Sequence, residues 1–440
     1  TMTTATSIDV NTLSGGVNGV SVQFEQYGAR FADLQEVYVS TDGISFTKVG
    51  DNADLPATFL GSSNPYANPM VRKFNISSAI AGNPSTVWIR FSWLLDAQDI
   101  IYGWYIDDVK IVTNEDYDNS MVTSTCGQGA YQLPYYYIPL SQIDAITFSS
   151  SVFNNGIFDQ PGTYLTVDAG GTAYDSPTTT IVSSGSDSLI TTNFTPSSSV
   201  QTIALDYEII ADNVDDFTAD NTASKSISIT ENIFGRDLAN ANSSGYTGTY
   251  TNYTGNEGLP FKAGNVFEMT ADATLYGAEA KFVGPIPAGG VLVYCQLYKL
   301  NTAGDDYDFW ESTFEVTLTS NAQISGMVKF QFENPVDLFA GEDVLLVVGH
   351  YGSEMPIATA GLAEGQSSIV IGDDGSIGSF GDAENVVVRM SFDASIGVEE
   401  NELTGATLEQ NFPNPAKGNT SINYTLTNNA DVTIQVTDIN

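Results

Sequence analysis

The chain has 440 residues, of which 14 are basic and 53 acidic, for a formal charge of −39. A surface of that sign repels phosphate backbones and anionic lipid headgroups, which argues against nucleic acid as a partner. No apolar stretch approaches the roughly 20 residues of a membrane-spanning helix.

Apolar residues make up 42% of the chain and charged residues only 15%, against roughly 25% charged in an average soluble domain. Neutral Ser, Thr, Asn and Gly must therefore cover the surface beside β-branched and aromatic residues, a composition that favours strands and turns. At roughly 100 to 150 residues per core, about three or four domains are expected. The acidity reads either as solubility in a salty medium or as carboxylates that hold Ca²⁺. Cys126 and Cys295 lie far apart and show no metal-ligand spacing, so a disulfide is allowed but not specified.

Residues 1–112 read as short strands. Val20, Val22 and Phe24 alternate with polar residues, and Val37 and Val39 lead into Ser40-Thr41-Asp42-Gly43, where Asp-Gly predicts a hairpin turn. Val87, Ile89, Phe91 and Trp93 repeat the period of two. In the closing stretch Trp104 and Ile106 share one face and Val109 and Ile111 the other, so the register must change across Asp107-Asp108, as a β-bulge allows. The Val-Ser-Thr-Asp-Gly turn, the Ile-Arg-Phe strand and the closing Trp-x-Ile-Asp-Asp-Val-x-Ile together resemble a MAM-like or cleaved-adhesin jelly roll. The opening strand of that family is not visible before Thr1, which implies an incomplete N-terminal edge. The resemblance implies a structural Ca²⁺ with Glu25, Asp107 and Asp108 as candidate ligands; the alternative is a bulge with solvated carboxylates.

Residues 113–236 begin with a Pro-bounded aromatic lead-in, Tyr131 to Pro139, in which Tyr135, Tyr136 and Tyr137 are expected to pack between domains. Short strands follow from Ile146 to Val152, around Tyr164 to Val167, from Val200 to Ile210 and from Ser226 to Ile229. The Asn154-Asn155-Gly156 turn and the late Asp220-Asn221 turn before a strand resemble the immunoglobulin-like spacers of bacterial surface proteins. Asp187-Ser188-Leu189 resembles the Asp-Ser/Thr-apolar acceptor of Bacteroidetes O-glycosylation, with Ser188 as the acceptor.

Residues 237–397 open on a hydrophilic linker, 237–257, marked by Asn240, Asn242, Ser243, Ser244 and Gly245. Strand patterns follow at Val291 to Leu300, Phe314 to Leu318 and Met327 to Phe332, with a continuous apolar run at Val344 to Val348 suited to a sandwich core. A second jelly-roll sandwich is expected. Two acidic loops, Asp305, Asp306 and Asp308, then Asp373, Asp374 and Asp382, carry the hard oxygens that Ca²⁺ takes, but they lack the EF-hand spacing and final Glu. Solvated turns are the alternative.

Residues 398–440 contain Leu408-Glu409-Gln410-Asn411-Phe412-Pro413-Asn414-Pro415, whose two prolines stop any helix or inner strand. Ile422, Tyr424 and Leu426 then alternate, Thr427 to Asp431 reads as a turn, and Val432, Ile434 and Val436 resume the pattern. This order resembles the C-terminal sorting domain of cargo of the type IX secretion system of Bacteroidetes, with Leu408, Asn411, Pro413, Asn414 and Pro415 carrying the signal. The resemblance implies export to the medium or cell surface, with the type IX machinery as a partner. Thr1 lacks the charged and apolar regions of a signal peptide, so an exported chain is expected to have lost an N-terminal portion. The sorting domain likewise reads as incomplete at Asn440, leaving an open sheet edge.

Catalytic signatures are sparse. His350 is the only histidine and reads as a neutral strand-end residue. No nucleophile elbow, His-Glu-x-x-His helix or phosphate-binding Gly loop appears, although a carboxylate pair suits glycoside hydrolysis. Exposed Tyr or Trp faces could stack on sugar rings, while Trp88, Trp93, Trp104 and Trp310 read as core. The sequence thus predicts an all-β chain of tandem β-sandwiches: a jelly roll, an immunoglobulin-like spacer, a second jelly roll and a partial sorting domain. The expected role is a non-catalytic adhesin or structural protein at the cell surface, meeting surface glycans, proteins or copies of itself. Two alternatives stay open: an accessory portion of a larger secreted metallopeptidase or glycosidase whose catalytic domain lies upstream, and an extracellular filament subunit.

Overall fold

Among the described residues the period-two alternation becomes strand, with 58% strand and 5% helix, in an all-β fold consistent with tandem sandwiches. The structure, a computed structural model, describes residues 1–13, 19–28, 33–53, 55, 69–95, 103–240, 248–250, 260–304, 306–352, 355–362, 368–372, 377–379, 384–397, 406–408 and 420–426. The chain divides into two units, Thr1–Ile396 and Gly397–Asn440. Among the described residues no helix is long and apolar enough to cross a membrane.

The first sandwich packs the sheet Met70–Asn75, Val20–Gly28, Trp104–Thr113 against the sheet Met2–Thr3, Trp88–Leu95, Asp33–Ser40, Thr47–Asp51. Val20, Val22 and Phe24 point inward beside Val37, Val39 and Ile89, all at most 1% exposed. Each such side chain contributes roughly 1.5–3 kcal/mol on burial. Phe24 meets Phe91 edge-on at 5.0 Å, and Phe91 meets Trp104 at 5.9 Å. Trp104 Nε1 donates to Gln26 Oε1 at 2.9 Å, so the indole buries its body without stranding its N–H.

The Asp-Gly turn forms as predicted, with Gly43 at φ +72° joining two strands that pair Val39 with Thr47. Asp42 Oδ1 accepts from the Ile44 and Ser45 amides at 2.8 and 2.7 Å. The bulge also forms: register slips between the Gln23/Lys110 and Glu25/Asp107 pairs, and Asp108 takes φ +49°. The extra residue returns Ile111, opposite Val22, to the core face shared with Trp104 and Ile106.

Beyond Thr113 one sheet carries Thr125–Gln128, Ile146–Asn154 and Ser186–Ile190. A second sheet runs through Gln160–Ala169, Gln201–Ile210, Thr222–Thr230, Tyr137–Pro139, Ile233–Gly235, Val388–Ser391, Ala273–Ala280 and Val328–Leu338. The expected boundary between 236 and 237 therefore falls inside a shared sheet. Tyr137–Pro139 supplies the splice, pairing parallel with Ser228, Ile229 and Thr230 on one side and meeting Gly235 on the other. One buried cluster likewise includes Phe148, Tyr207, Phe267 and Phe330. Reading 237–257 as a linker weighed its Asn, Ser and Gly; Asp237 and Ala239 are nonetheless buried.

The remaining large sheet orders Tyr307–Ser312, Val291–Leu300, Asp343–Tyr351, Pro260–Glu268, Ser368–Ile371 and Ile377–Ser379, with Val344, Leu346 and Val348 fully buried. Cys126 and Cys295 are both buried thiols. In the C-terminal unit Ala406–Leu408 pairs antiparallel with Tyr424–Leu426, placing Leu408 opposite Tyr424. The expected strand Val432 to Val436 lies outside the described residues.

Candidate functional site

The outer face of the three-stranded sheet in the first sandwich gathers exposed groups that its alternation turns away from the core. Tyr27 lies opposite Tyr105 and Glu25 opposite Asp107 in adjacent strands. Val71, on the third strand, lies opposite Glu25. Tyr27 is 55% exposed, Tyr105 66% and Val71 59%. The two tyrosine rings sit edge to face with centroids 6.2 Å apart. Apolar and aromatic surface thus stands beside two carboxylates that can accept hydrogen bonds.

The bulge brings Glu25 and Asp107 side by side, whereas Asp108 sits at the bulge itself, and Asp107 Oδ1 accepts the Asp108 amide at 2.8 Å. Among the described residues no three His, Cys, Asp or Glu side chains converge as a metal-ligand group. Glu25, Asp107 and Asp108 are accordingly not assembled as a three-carboxylate Ca²⁺ site. Asp306 and Asp308 are exposed, and Asp306 Oδ1 accepts the Tyr307 amide at 2.8 Å, as a turn carboxylate does. Asp305, Asp373, Asp374 and Asp382 lie outside the described residues, as do Asn411, Pro413, Asn414 and Pro415 of the sorting signal.

Ser188 is exposed on Ser186–Ile190, the outermost strand of its sheet, opposite Ser151. Leu189 is buried, so the strand fixes Ser188 outward. His350 is fully buried between Phe261 and Val293 on neighbouring strands, with no surface to offer a substrate. The three tyrosines of the lead-in are all buried; Tyr135 stacks on Phe234 at 4.4 Å, and its hydroxyl accepts the Glu268 amide at 2.8 Å.

The sequence reading missed a buried ionic junction at the splice. Arg389 is 1% exposed and Asp237 fully buried, and the guanidinium donates to both Asp237 oxygens, at 2.9 and 2.8 Å. It also reaches the Ala239 carbonyl at 3.0 Å and Glu279 Oε1 at 3.4 Å, and lies 3.8 Å over the Tyr137 ring. Burial disfavours the charged guanidinium, but Asp237 outweighs it and holds the proton more tightly than usual. Burial pushes the Glu279 carboxyl up, with Arg389 opposing. The signal was present: Arg389 interrupts the apolar run Val386-Val387-Val388-Met390, and a charge there demands a buried partner.

No protein-family model and no curated protein matches the chain. Solved structures similar to parts of it include an exo-chitosanase of Amycolatopsis orientalis in complex with PNP-beta-D-glucosamine, at 13% identity and a TM-score of 0.24. That match covers 56% of this chain and 27% of the chitosanase, so the chain spans about a quarter of that protein's length. A two-domain protein of unknown function from Bacteroides fragilis matches at 9% identity and a TM-score of 0.17, covering 61% of this chain and 94% of that one.

Proposed function

We propose that this is a secreted or cell-surface, non-catalytic multidomain protein, an adhesin or structural component, that binds neutral glycans through the outer face of its first sandwich. The observation that carries the reading is the row formed by Tyr27, Tyr105, Glu25 and Asp107. Aromatic faces stack on the apolar side of a sugar ring, and carboxylates accept hydrogen bonds from its hydroxyls. A net charge of −39 disfavours polyanionic glycans and leaves neutral ones. The non-catalytic part of the reading rests on the sparse catalytic signatures of the sequence. Export through the type IX secretion system rests on the tail, Leu408 to Pro415, and its resemblance to sorting domains.

A glycan array probed with the wild-type chain and with the Tyr27→Ala/Tyr105→Ala variant tests the binding part. Wild type is expected to retain neutral oligosaccharides, and the variant to lose about tenfold in affinity, about 1.4 kcal/mol. Both side chains are exposed, so the fold stays intact. Equal binding by the two proteins, or none by either, would contradict the proposal.

A further inference from the structure

Where the chain leaves the first sandwich, buried oxygens outnumber the donors that meet them. Segment 117–119 is clasped against 215–217: the Asn119 amide donates to Asp215 Oδ2 at 2.7 Å and the Tyr117 amide to Asp216 Oδ2 at 3.1 Å. The Phe217 amide takes the second Asp215 oxygen at 2.8 Å, so the hydrogen bonds of Asp215 are already engaged. The clasp sets Asp118 near the short turn Thr218–Asp220, which packs against the strand Asn119–Met121 that follows it.

Three side-chain oxygens in this pair of segments have no hydrogen-bond partner: Asp118 Oδ1, Asp220 Oδ1 and Asn221 Oδ1. Asp118 is 3% exposed and Asn221 5%. Among the described residues, Lys73 from the first sandwich bonds to Glu115 at 3.0 Å and to the other Asp118 oxygen at 3.5 Å. A buried acceptor without a donor loses its hydration and gains nothing in return. Asp118, held against the turn that leads into Asp220 and Asn221, thus keeps one oxygen unmet even with Lys73 at the other, and oxygens cannot satisfy one another.

We propose that this seam binds a calcium ion through the carboxylates of Asp118 and Asp220 and the side-chain carbonyl of Asn221, fastening the exit of the first sandwich to the next. Hard oxygen ligands of mixed carboxylate and amide type suit Ca²⁺, whose flexible coordination accepts water at the remaining positions; Mg²⁺ demands a stricter octahedron. Two carboxylates and an amide also explain why no three-acid group marks the place.

The test titrates CaCl₂ and, separately, MgCl₂ into the full chain stripped with a chelator, by calorimetry and thermal denaturation. Ca²⁺ is expected to bind and raise the midpoint, with Mg²⁺ weaker. Asp220→Asn, at the end of an exposed turn, and Asp118→Asn should each lower Ca²⁺ affinity roughly tenfold or more while circular dichroism stays unchanged. Tb³⁺ luminescence sensitised by nearby Tyr117 gives a second readout and should fall in the same variants. Absence of Ca²⁺ binding, or binding that survives both substitutions, would overturn the proposal, the latter by placing the ion elsewhere among the acids.

Discussion

Removing one side of the Arg389–Asp237 pair should destabilise the large unit far more than removing both. In Asp237→Ala the guanidinium, 1% exposed, loses two hydrogen bonds of 2.9 and 2.8 Å. Glu279 at 3.4 Å and the Ala239 carbonyl remain and cannot replace a bidentate carboxylate. A buried ion left without its partner costs about 3–5 kcal/mol. The double variant Asp237→Ala/Arg389→Met replaces the pair with apolar groups and leaves Glu279 with its cross-strand neighbour Lys329. Its cost should be about 1–2 kcal/mol, because the buried guanidinium and its carboxylate leave together. Urea denaturation followed at Trp310, in a background with Trp88, Trp93 and Trp104 changed to Phe, reads the far side of the splice. The single variant should unfold at distinctly lower urea than the double. Equal midpoints for the single and double variants would refute the reasoning, since the penalty would then not come from a stranded charge.

Other outcomes follow from the same structure. Gly264 lies opposite Val347, and a Cβ there would sit 1.9 Å from the Leu346 carbonyl oxygen. Gly264→Ala should therefore lower stability by about 3 kcal/mol or more in thermal denaturation. Lys281 Nζ donates to the carbonyls of Ile324, Ser325 and Gly326 at 2.6, 3.1 and 3.5 Å. Lys281→Met should cost about 1–3 kcal/mol by leaving these acceptors short of a donor, whereas Lys281→Arg should recover part of the loss. Asp42, held well below its ordinary 3.8 by the Ile44 and Ser45 amides and then the Ser40 hydroxyl, stabilises its turn fully above that value. The contribution is lost as pH falls below it, so Asp42→Asn should weaken the first sandwich at pH 7 and flatten the acid limb of its stability curve.

Much of the strand pattern was legible because side-chain alternation reports directly which face is buried. Val20, Val22 and Phe24 did so, and the mismatch of faces around Asp107-Asp108 marked the bulge in the sequence itself. The Asp-Gly turn was equally readable, since few residues take the left-handed conformation of Gly43. What escaped was long-range. The pairing of Tyr137–Pro139 with strands about 90 residues later depends on which edges meet, and no local period records that. For the same reason a hydrophilic run read as a linker, although Asp237 within it anchors Arg389. The face of Glu25, Asp107, Tyr27 and Tyr105 was half legible: the carboxylates were singled out, but the tyrosines join them only through strand register. The seam at Asp118 was invisible, because the bonds from the Tyr117 and Asn119 amides to Asp216 and Asp215 join segments far apart in sequence.

The claim beneath the proposed function is that this chain works outside the cell, carried there by its tail. Fractionating a type IX-competent Bacteroidetes host that expresses the natural gene, unaltered or with Pro413→Ala/Pro415→Ala, tests it directly. The unaltered protein should appear at the surface or in the medium and the variant should accumulate in the periplasm; the same distribution for both would contradict the account.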